Sequence, residues 1–530
     1  MTVSKTKRSL YNLAASIAGT LISATLGIYV AWLILNHYGS DYNGLHFTIT
    51  QTVALLTLVE VGFTISINLA LYKPVVENDT KKINAIFAAT QKIFQKVGLL
   101  FFILGFAASV LIPLFINTQI TYWEVAVLFA MAVLPAGARI FFVMKYTCLF
   151  NVHQQEYIVQ IINIATQIFL GVSAIIIVNI GWEYLVLRGT HAVIALLTCV
   201  AIWLTFKLKH PHIRNEGELD RSSIKGTQHV AVQKICGTLY ASFPMIMVSI
   251  FIDTKTASIY GVYLLVIAMI KSLLNAAVRA PTDAFGQVVA QDRKEHLYQL
   301  FFKHNVVNIM LTSIFLATTM SLYIPFISLY TANIAYADYI NRYIALLLVI
   351  TAFIELSHIP SGIFMNVNGN FKQGMYFQLA GSAVILVFGT TGIFVFGLYG
   401  LLGAILICAL VLAFCEIFYV YRNNFNKKLR FFALLVTINI LPLVGLSIMW
   451  HFMNLTINSI PRFILWGGII FVTNAVIITA INFAIFNKYI KDLFFQILGV
   501  FKRKRKPTDS SANNENSDTG EIASNDDLSA

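Results

Sequence analysis

Charge is scarce in this sequence. Only 12% of its 530 residues are Asp, Glu, Lys or Arg, against roughly 25% in soluble domains. A water-soluble fold of this length cannot cover its surface with so few charges, so lipid must be the solvent for most of the chain. Cysteine is scarce too. The five present (Cys148, Cys199, Cys236, Cys408, Cys415) are odd in number, form no CxxC pair and lie in or beside apolar runs. That pattern argues against a disulfide framework or a zinc site and leaves packing as their role. The sequence contains no GxxxxGK[ST] and no HExxH, so neither an ATP-driven pump nor a zinc hydrolase fits. Large polar loops are missing as well. The longest loop on one side, 331–342, carries a single carboxylate, Asp338, too little to build an active site. The loops 73–96, 207–229 and 279–304 are too short for a nucleotide domain. No enzyme activity and no cofactor or metal is expected.

Apolar runs are abundant: 58% of residues are hydrophobic and the mean hydropathy is +0.75. A helix needs about 20 apolar residues to cross a hydrocarbon core of roughly 30 Å. Inside lipid the backbone must bond to itself, which leaves helices or closed barrels. Barrel strands alternate apolar and polar residues, whereas stretches such as LLFFILGFAASVLIPLFI (99–116) are apolar on every side. The predicted fold is therefore all-α and polytopic. About fourteen spans are expected at 10–35, 44–72, 97–116, 122–144, 158–178, 184–206, 230–252, 258–278, 305–330, 343–364, 376–395, 399–421, 431–453 and 463–486. The basic start, MTVSKTKRS, resembles a signal peptide, but the apolar segment behind it is too long for one and lacks a small-residue cleavage site. It reads as the first span.

Lysine and arginine test this count, because cytoplasmic loops collect them. Of the 37, thirty fall on one side of the predicted spans, and only Lys255, Arg342 and Arg462 on the other. A missed or invented helix would scramble that split, so both ends are expected in the cytoplasm of a multi-pass cell-membrane protein. The net charge of +13 then requires no nucleic acid. KRKRK at 502–506 is expected to hold the last helix to anionic headgroups, and the polar residues 507–530 to be disordered.

Spans 1–6 and 7–12 form a loose repeat. Gly19-Thr20-Leu21 recurs as Gly237-Thr238-Leu239, and Tyr42 matches Tyr260 at the same offset. Six crossings per half give both halves one orientation, as in parallel repeats. The expected domains are a six-helix lobe (1–206), a linker (207–229), a second six-helix lobe (230–421), two added helices (422–486) and a basic, then disordered tail (487–530). The default substrate site is a cavity between the lobes.

A charge at the centre of a membrane helix costs about 2.5–3.5 kcal/mol on insertion scales, so retained charges are candidates for function. Arg139, Arg188, Lys234 and Lys271 lie within spans, with Glu60, Glu355 and Glu416. Several sit on polar stripes at helical spacing: Thr57, Glu60, Thr64 and Asn68; Lys271, Asn275 and Arg279; Lys234, Thr238 and Ser242; Tyr184, Arg188 and His191; Thr351, Glu355 and His358; and Asn12, Ser16, Thr20 and Ser23. Such stripes cannot face lipid. They line water or pair with one another, Glu355 with Lys271 for instance. A net positive cavity favours an anionic solute carrying phosphate. The candidate headgroup-binding cations are Arg139, Lys271, Arg188, Lys234 and Arg279. Glu60, Glu355 and His358 are candidates for holding a proton or a sodium ion. Glu416 lies close to a span end and is the weakest of the set.

The segment YGSDYNGLHFTITQTVALLTLVEVGFTISINLALYKPVVENDTKKI (38–83) resembles the second-helix signature of the polysaccharide export flippases of the multidrug/oligosaccharidyl-lipid/polysaccharide transporter superfamily. Gly39, Tyr42, Gly44 and Leu45, the Glu60-x-Gly62 pair, and Leu71-Tyr72-Lys73-Pro74 with Asp79 and Lys82-Ile83 carry the match. A second patch, Lys145-Tyr146 through Gln155-Glu156-Tyr157-Ile158, resembles that family's loop after span 4. The resemblance implies a flippase for undecaprenyl-pyrophosphate-linked oligosaccharide repeats, working by alternating access in cell-surface polysaccharide biosynthesis. Polysaccharide polymerase and glycosyltransferases are its expected partners beside membrane lipids. Many relatives have an arginine late in the first helix, where this chain has Ala31-Trp32. The alternatives are a cation-coupled multidrug antiporter of the same fold and, further off, a membrane polymerase or glycosyltransferase.

Overall fold

The computed structural model describes residues 5–213, 228–279, 294–334, 338–453, 455 and 457–503. Among them there are helices and no strands. In chain order the helices are α1 (Lys5–Tyr38), α2 (Ser40–Leu56), α3 (Leu58–Glu77), α4 (Thr80–Leu111), α5 (Tyr122–Ala138), α6 (Met144–Val152), α7 (Glu156–Ile180) and α8 (Tyr184–Lys209). Then come α9 (Gln228–Phe251), α10 (Thr254–Arg279), α11 (Lys294–Tyr330), α12 (Arg342–Val367), α13 (Phe371–Tyr419), α14 (Arg430–Phe452) and α15 (Ile460–Arg503). Among the described residues, thirteen segments are long and apolar enough to cross a membrane. One of them, Phe371–Asn424, has 54 residues, enough for two crossings, and bends back at Gly397 with φ +59. The chain is thus an all-α multi-pass membrane protein, and its described residues provide fourteen crossings.

The boundaries follow local chemistry. Asp79 caps α4, its carboxylate accepting the Lys82 N–H at 3.0 Å, and Asn341 caps α12 by accepting from Tyr343 and Ile344. The predicted second span is two helices stacked end to end. At Thr57 the Glu60 N–H reaches back only three residues, to the Thr57 carbonyl at 3.1 Å, and the rod changes direction. The fourth span is α5 and α6 joined by one π-helical turn, Arg139–Val143, just after Pro135. Spans 11 and 12, expected as separate helices, are the two legs of α13.

Helix pairing repeats along the chain. In the first half α1 lies on α7 and α4 on α5; in the second, α9 lies on α13 and α11 on α12. These make two lobes of six crossings each, α1–α8 and α9–α13, while α14 and α15 pack on α11 as an addition to the second lobe. The lobes meet where α2 lies on α9 and α10, and where α1 meets α10. Apolar side chains such as Leu99, Ile103, Phe106, Val110 and Leu114 of the third span form an exposed stripe, the surface that lipid covers.

The two cores differ. The second lobe and the added helices share one apolar cluster, which includes Tyr263, Phe301, Leu356 and Cys408. The first lobe has two separate clusters, one around Phe94 and Phe150 and one around Ile34 and Phe129. Polar side chains occupy the level between them. The helix ends that bear few lysines and arginines (turns at 39, 115–121, 181–183, 252–253, 331–334 and 338–341) share one face of the bundle, termed below the lysine-poor end. The basic segment 502–506 and the tail lie outside the described side chains, as does the Arg279 side chain.

Candidate functional site

A cavity of about 490 Å³ opens inside the first lobe, between α1, α2, α5, α7 and α8. Arg188, His191, His46, Gln167, Thr50 and Ser23 are among its lining residues. The predicted stripe on the sixth span explains the first two, which face the same way one turn apart. Arg188 Nη1 meets His46 Nδ1 at 3.2 Å. Its Nε and His191 Nε2 are buried with no hydrogen-bond partner. Among the described residues no carboxylate forms an ion pair with Arg188. A half-buried guanidinium facing two imidazoles and no acid is an uncompensated positive charge, costly away from water. An anion placed in the cavity would offset it.

A second cavity, of about 430 Å³, lies between the lobes and is lined by Gly19, Thr20, Ser23 and Gly27 of α1, Gln160 of α7, and Leu265, Ala268 and Ser272 of α10. Ser23 and Gly27 line both cavities, so the two hollows adjoin across α1. Of the predicted polar stripe on the first span, Thr20 lines the second cavity and Ser23 lines both. The expected hollow between the lobes is therefore present, with an extension into the first lobe that the sequence did not foretell.

The remaining candidates divide between the lobes. Arg139 is exposed at the first position of the π turn, a type of helix defect that re-aims side chains. Its charge and that of the exposed Lys234 act on Glu60, which also accepts a hydrogen bond from the Thr64 hydroxyl. Lys271 is not a free cation here. It forms an ion pair with Glu355, and Glu355 also accepts from the Tyr240 hydroxyl at 2.6 Å. One turn on, His358 Nδ1 meets Glu416 Oε2 at 2.8 Å, and Gln378 donates to the other Glu416 oxygen at 3.3 Å. Glu416, weakest on sequence grounds, is only 4% exposed and sits against Gly362, where a β-carbon would come within 2.9 Å of its carboxylate.

Sequence reading missed His46, Gln167, Tyr240 and Gln378. None of them lies on a stripe read from the sequence, and only tertiary packing shows which neighbour each meets. It also missed the seal at the lysine-poor end. There Asn43 donates to Ser258 at 2.7 Å, Thr254 to Asp41 at 2.5 Å, Ser242 to Gln51 at 2.8 Å, and Tyr339 to Ser40 at 2.8 Å. The Asn117 backbone bonds to the turn between α9 and α10 in both directions. The motif glycine Gly44 belongs to this contact: a β-carbon there would lie 1.8 Å from the Thr254 carbonyl oxygen.

No family model matches the chain, and no curated protein sequence matches it. Solved structures do. One described as the lipid II flippase MurJ in an inward closed conformation superposes with a TM-score of 0.68 at 14% identity, over 88% of this chain and 98% of that one. An inward-facing multidrug resistance MATE family transporter of the MOP superfamily gives 0.61 at 12% identity, over 77% and 97%. The MATE multidrug transporter DinF-BH gives 0.59 at 13%, over 80% and 98%. At these identities it is the fold that is shared, and the chain has the two-lobed, many-helix fold common to the MurJ flippase and the MATE transporters.

Proposed function

We propose that this protein is a flippase that carries an anionic polyprenyl-pyrophosphate-linked oligosaccharide across the cytoplasmic membrane by alternating access, for cell-surface polysaccharide biosynthesis. One observation carries the reading. Arg188 stands without an acidic partner in a cavity that adjoins the hollow between the lobes. A phosphate oxygen there would satisfy the idle Nε–H and offset the charge, and guanidinium–phosphate pairs are among the strongest polar contacts. Arg139 and Lys234, both exposed, extend the positive path, and the basic Arg279 belongs to the same proposed set. The similarity to a lipid II flippase and the sequence signature at 38–83 agree with a lipid-linked substrate. Lysine-rich turns placed in the cytoplasm leave the lysine-poor seal on the outside, so the conformation described here is closed outward. Glu60, Glu355 and His358 are the proposed ion-coupling groups. Polymerase and glycosyltransferases are the proposed partners.

A cation-coupled multidrug antiporter is the second reading, favoured by the MATE likenesses. An unneutralised arginine in the cavity speaks against cationic solutes. Reconstituted vesicles discriminate the two. Wild-type protein should translocate a lipid-linked oligosaccharide, and Arg188→Ala should lose at least tenfold of that rate while Arg188→Lys retains part of it. Vesicles that move a cationic dye against an ion gradient, and leave the lipid-linked oligosaccharide in place, would overturn the proposal in favour of the antiporter.

A further inference from the structure

Lys271 and Glu355 are placed as an exchangeable pair rather than a sealed one. The Lys271 side chain is 32% exposed and that of Glu355 13%. Lys271 is the neighbour in sequence of Ser272, which lines the inter-lobe cavity with Ala268 and Leu265. The ammonium, on a flexible four-carbon stem, is the more accessible member of the pair and the carboxylate the more buried, and Ala268, one turn before Lys271, lines the hollow. The groups around Glu355 are Tyr240 from α9, Tyr260 from α10, His358 from α12 and Cys408 from α13. None of these is a second cation able to replace Lys271. His358 is itself committed to Glu416.

We infer that a phosphate-bearing headgroup entering the hollow takes Lys271 from Glu355, and that Glu355 then takes up a proton, so that substrate binding and protonation are one linked event at this site. The inference rests on the flippase reading and adds a residue-level device to it. The exchange balances in charge and atoms. Before it, the ammonium and carboxylate neutralise each other. Afterwards the ammonium pairs with a phosphate oxygen, and a proton from cavity water converts the carboxylate to a carboxylic acid, with no bond to carbon or phosphorus made or broken. The driving principle is general: a carboxylate deprived of its counter-ion away from water is strongly disfavoured against its neutral form. Tyr240 stays in place either way, because its hydroxyl can donate to a carboxylate or to the carbonyl oxygen of the acid. Within the set Arg188, Lys271 and Glu355, two positive charges meet the two negative charges of a diphosphate diester, and protonation of Glu355 removes the excess negative charge, which lowers the cost of carrying the headgroup through the membrane interior.

The probe is farnesyl diphosphate esterified to N-acetylglucosamine, whose two phosphates stay ionised around neutral pH, titrated into the full-length protein in detergent. Binding is followed by calorimetry, and proton uptake by an indicator dye in weak buffer. The expected result is uptake of about one proton per bound probe near pH 7, with affinity falling up to tenfold per pH unit as pH rises. Glu355→Gln should bind without uptake and without that pH dependence, and Lys271→Arg should keep both. Lys271→Met should bind more weakly with no uptake. Thermal unfolding of each variant reports that it is folded. Wild-type binding without proton uptake, or uptake unchanged in Glu355→Gln, would overturn the exchange and leave the headgroup reading standing. Absence of binding to wild-type protein would overturn both.

Discussion

The Thr254 hydroxyl donates to Asp41 at 2.5 Å, so the first turn of α10 is fastened to the first turn of α2 and one lobe to the other. Lys255 adds its charge to the same carboxylate at 3.9 Å. Thr254 also reaches Thr118 at 3.1 Å, which ties in the turn before α5. These contacts cluster at the lysine-poor end, where the outward opening proposed above would begin.

Asp41→Ala should therefore favour the opened form. A hydrogen bond to a charged group contributes about 1.5–3 kcal/mol, so the opening equilibrium should shift by one to two orders of magnitude. In a background with the five native cysteines replaced, Ser249→Cys reports on it, because Ser249 is fully buried in this seal. Labelling by a membrane-impermeant maleimide should accelerate in the Asp41→Ala variant. An unchanged rate would remove Asp41 from the latch.

Gly44→Ala should act at the same place by steric means. Its β-carbon would fall 1.8 Å from the Thr254 carbonyl oxygen, and because that atom is backbone the two helices must separate. A loss of about 1–3 kcal/mol is expected for such overpacking, seen as a lower thermal midpoint together with faster labelling at position 249. Wild-type values for both would show that α2 and α10 do not approach this closely.

The His358–Glu416 pair should be costly to break and cheap to replace. Removing one member of a buried pair costs about 3–5 kcal/mol, whereas apolar residues of similar volume often restore or exceed the original stability. His358→Ala alone should lower the unfolding midpoint strongly. The double change His358→Leu with Glu416→Met should recover most of it. If the double variant is as unstable as the single one, the pair contributes through something other than mutual neutralisation.

The bend in α13 gives an ordered series. Gly397 has φ +59 and ψ −138, a conformation that costs a residue with a β-carbon about 1–3 kcal/mol. At Gly400 a β-carbon would lie 2.0 Å from the Gly392 carbonyl oxygen, and at Gly403 it would meet nothing within 4 Å. Thermal unfolding should rank Gly400→Ala as most damaging, Gly397→Ala as intermediate and Gly403→Ala as near neutral. Equal midpoints for Gly400→Ala and Gly403→Ala would contradict the tight hairpin.

The sequence by itself determined that this chain is a bundle of membrane helices and how many times it crosses. Apolar length and lysine placement follow from the bilayer's own thickness and charge bias, so neither waits on tertiary contacts. Helical spacing also placed Arg188 and His191 on one face, and likewise Glu355 and His358, because residues three or four apart share a face whatever surrounds them. Only the tertiary structure decided which faces meet: Arg188 with His46, Lys271 with Glu355, His358 with Glu416, and Asp41 with Thr254. Those partners come from helices tens to hundreds of residues apart. Periodicity within one helix carries no information about the rotation and depth of its neighbour, which are set by how small residues such as Gly44 let two backbones come together.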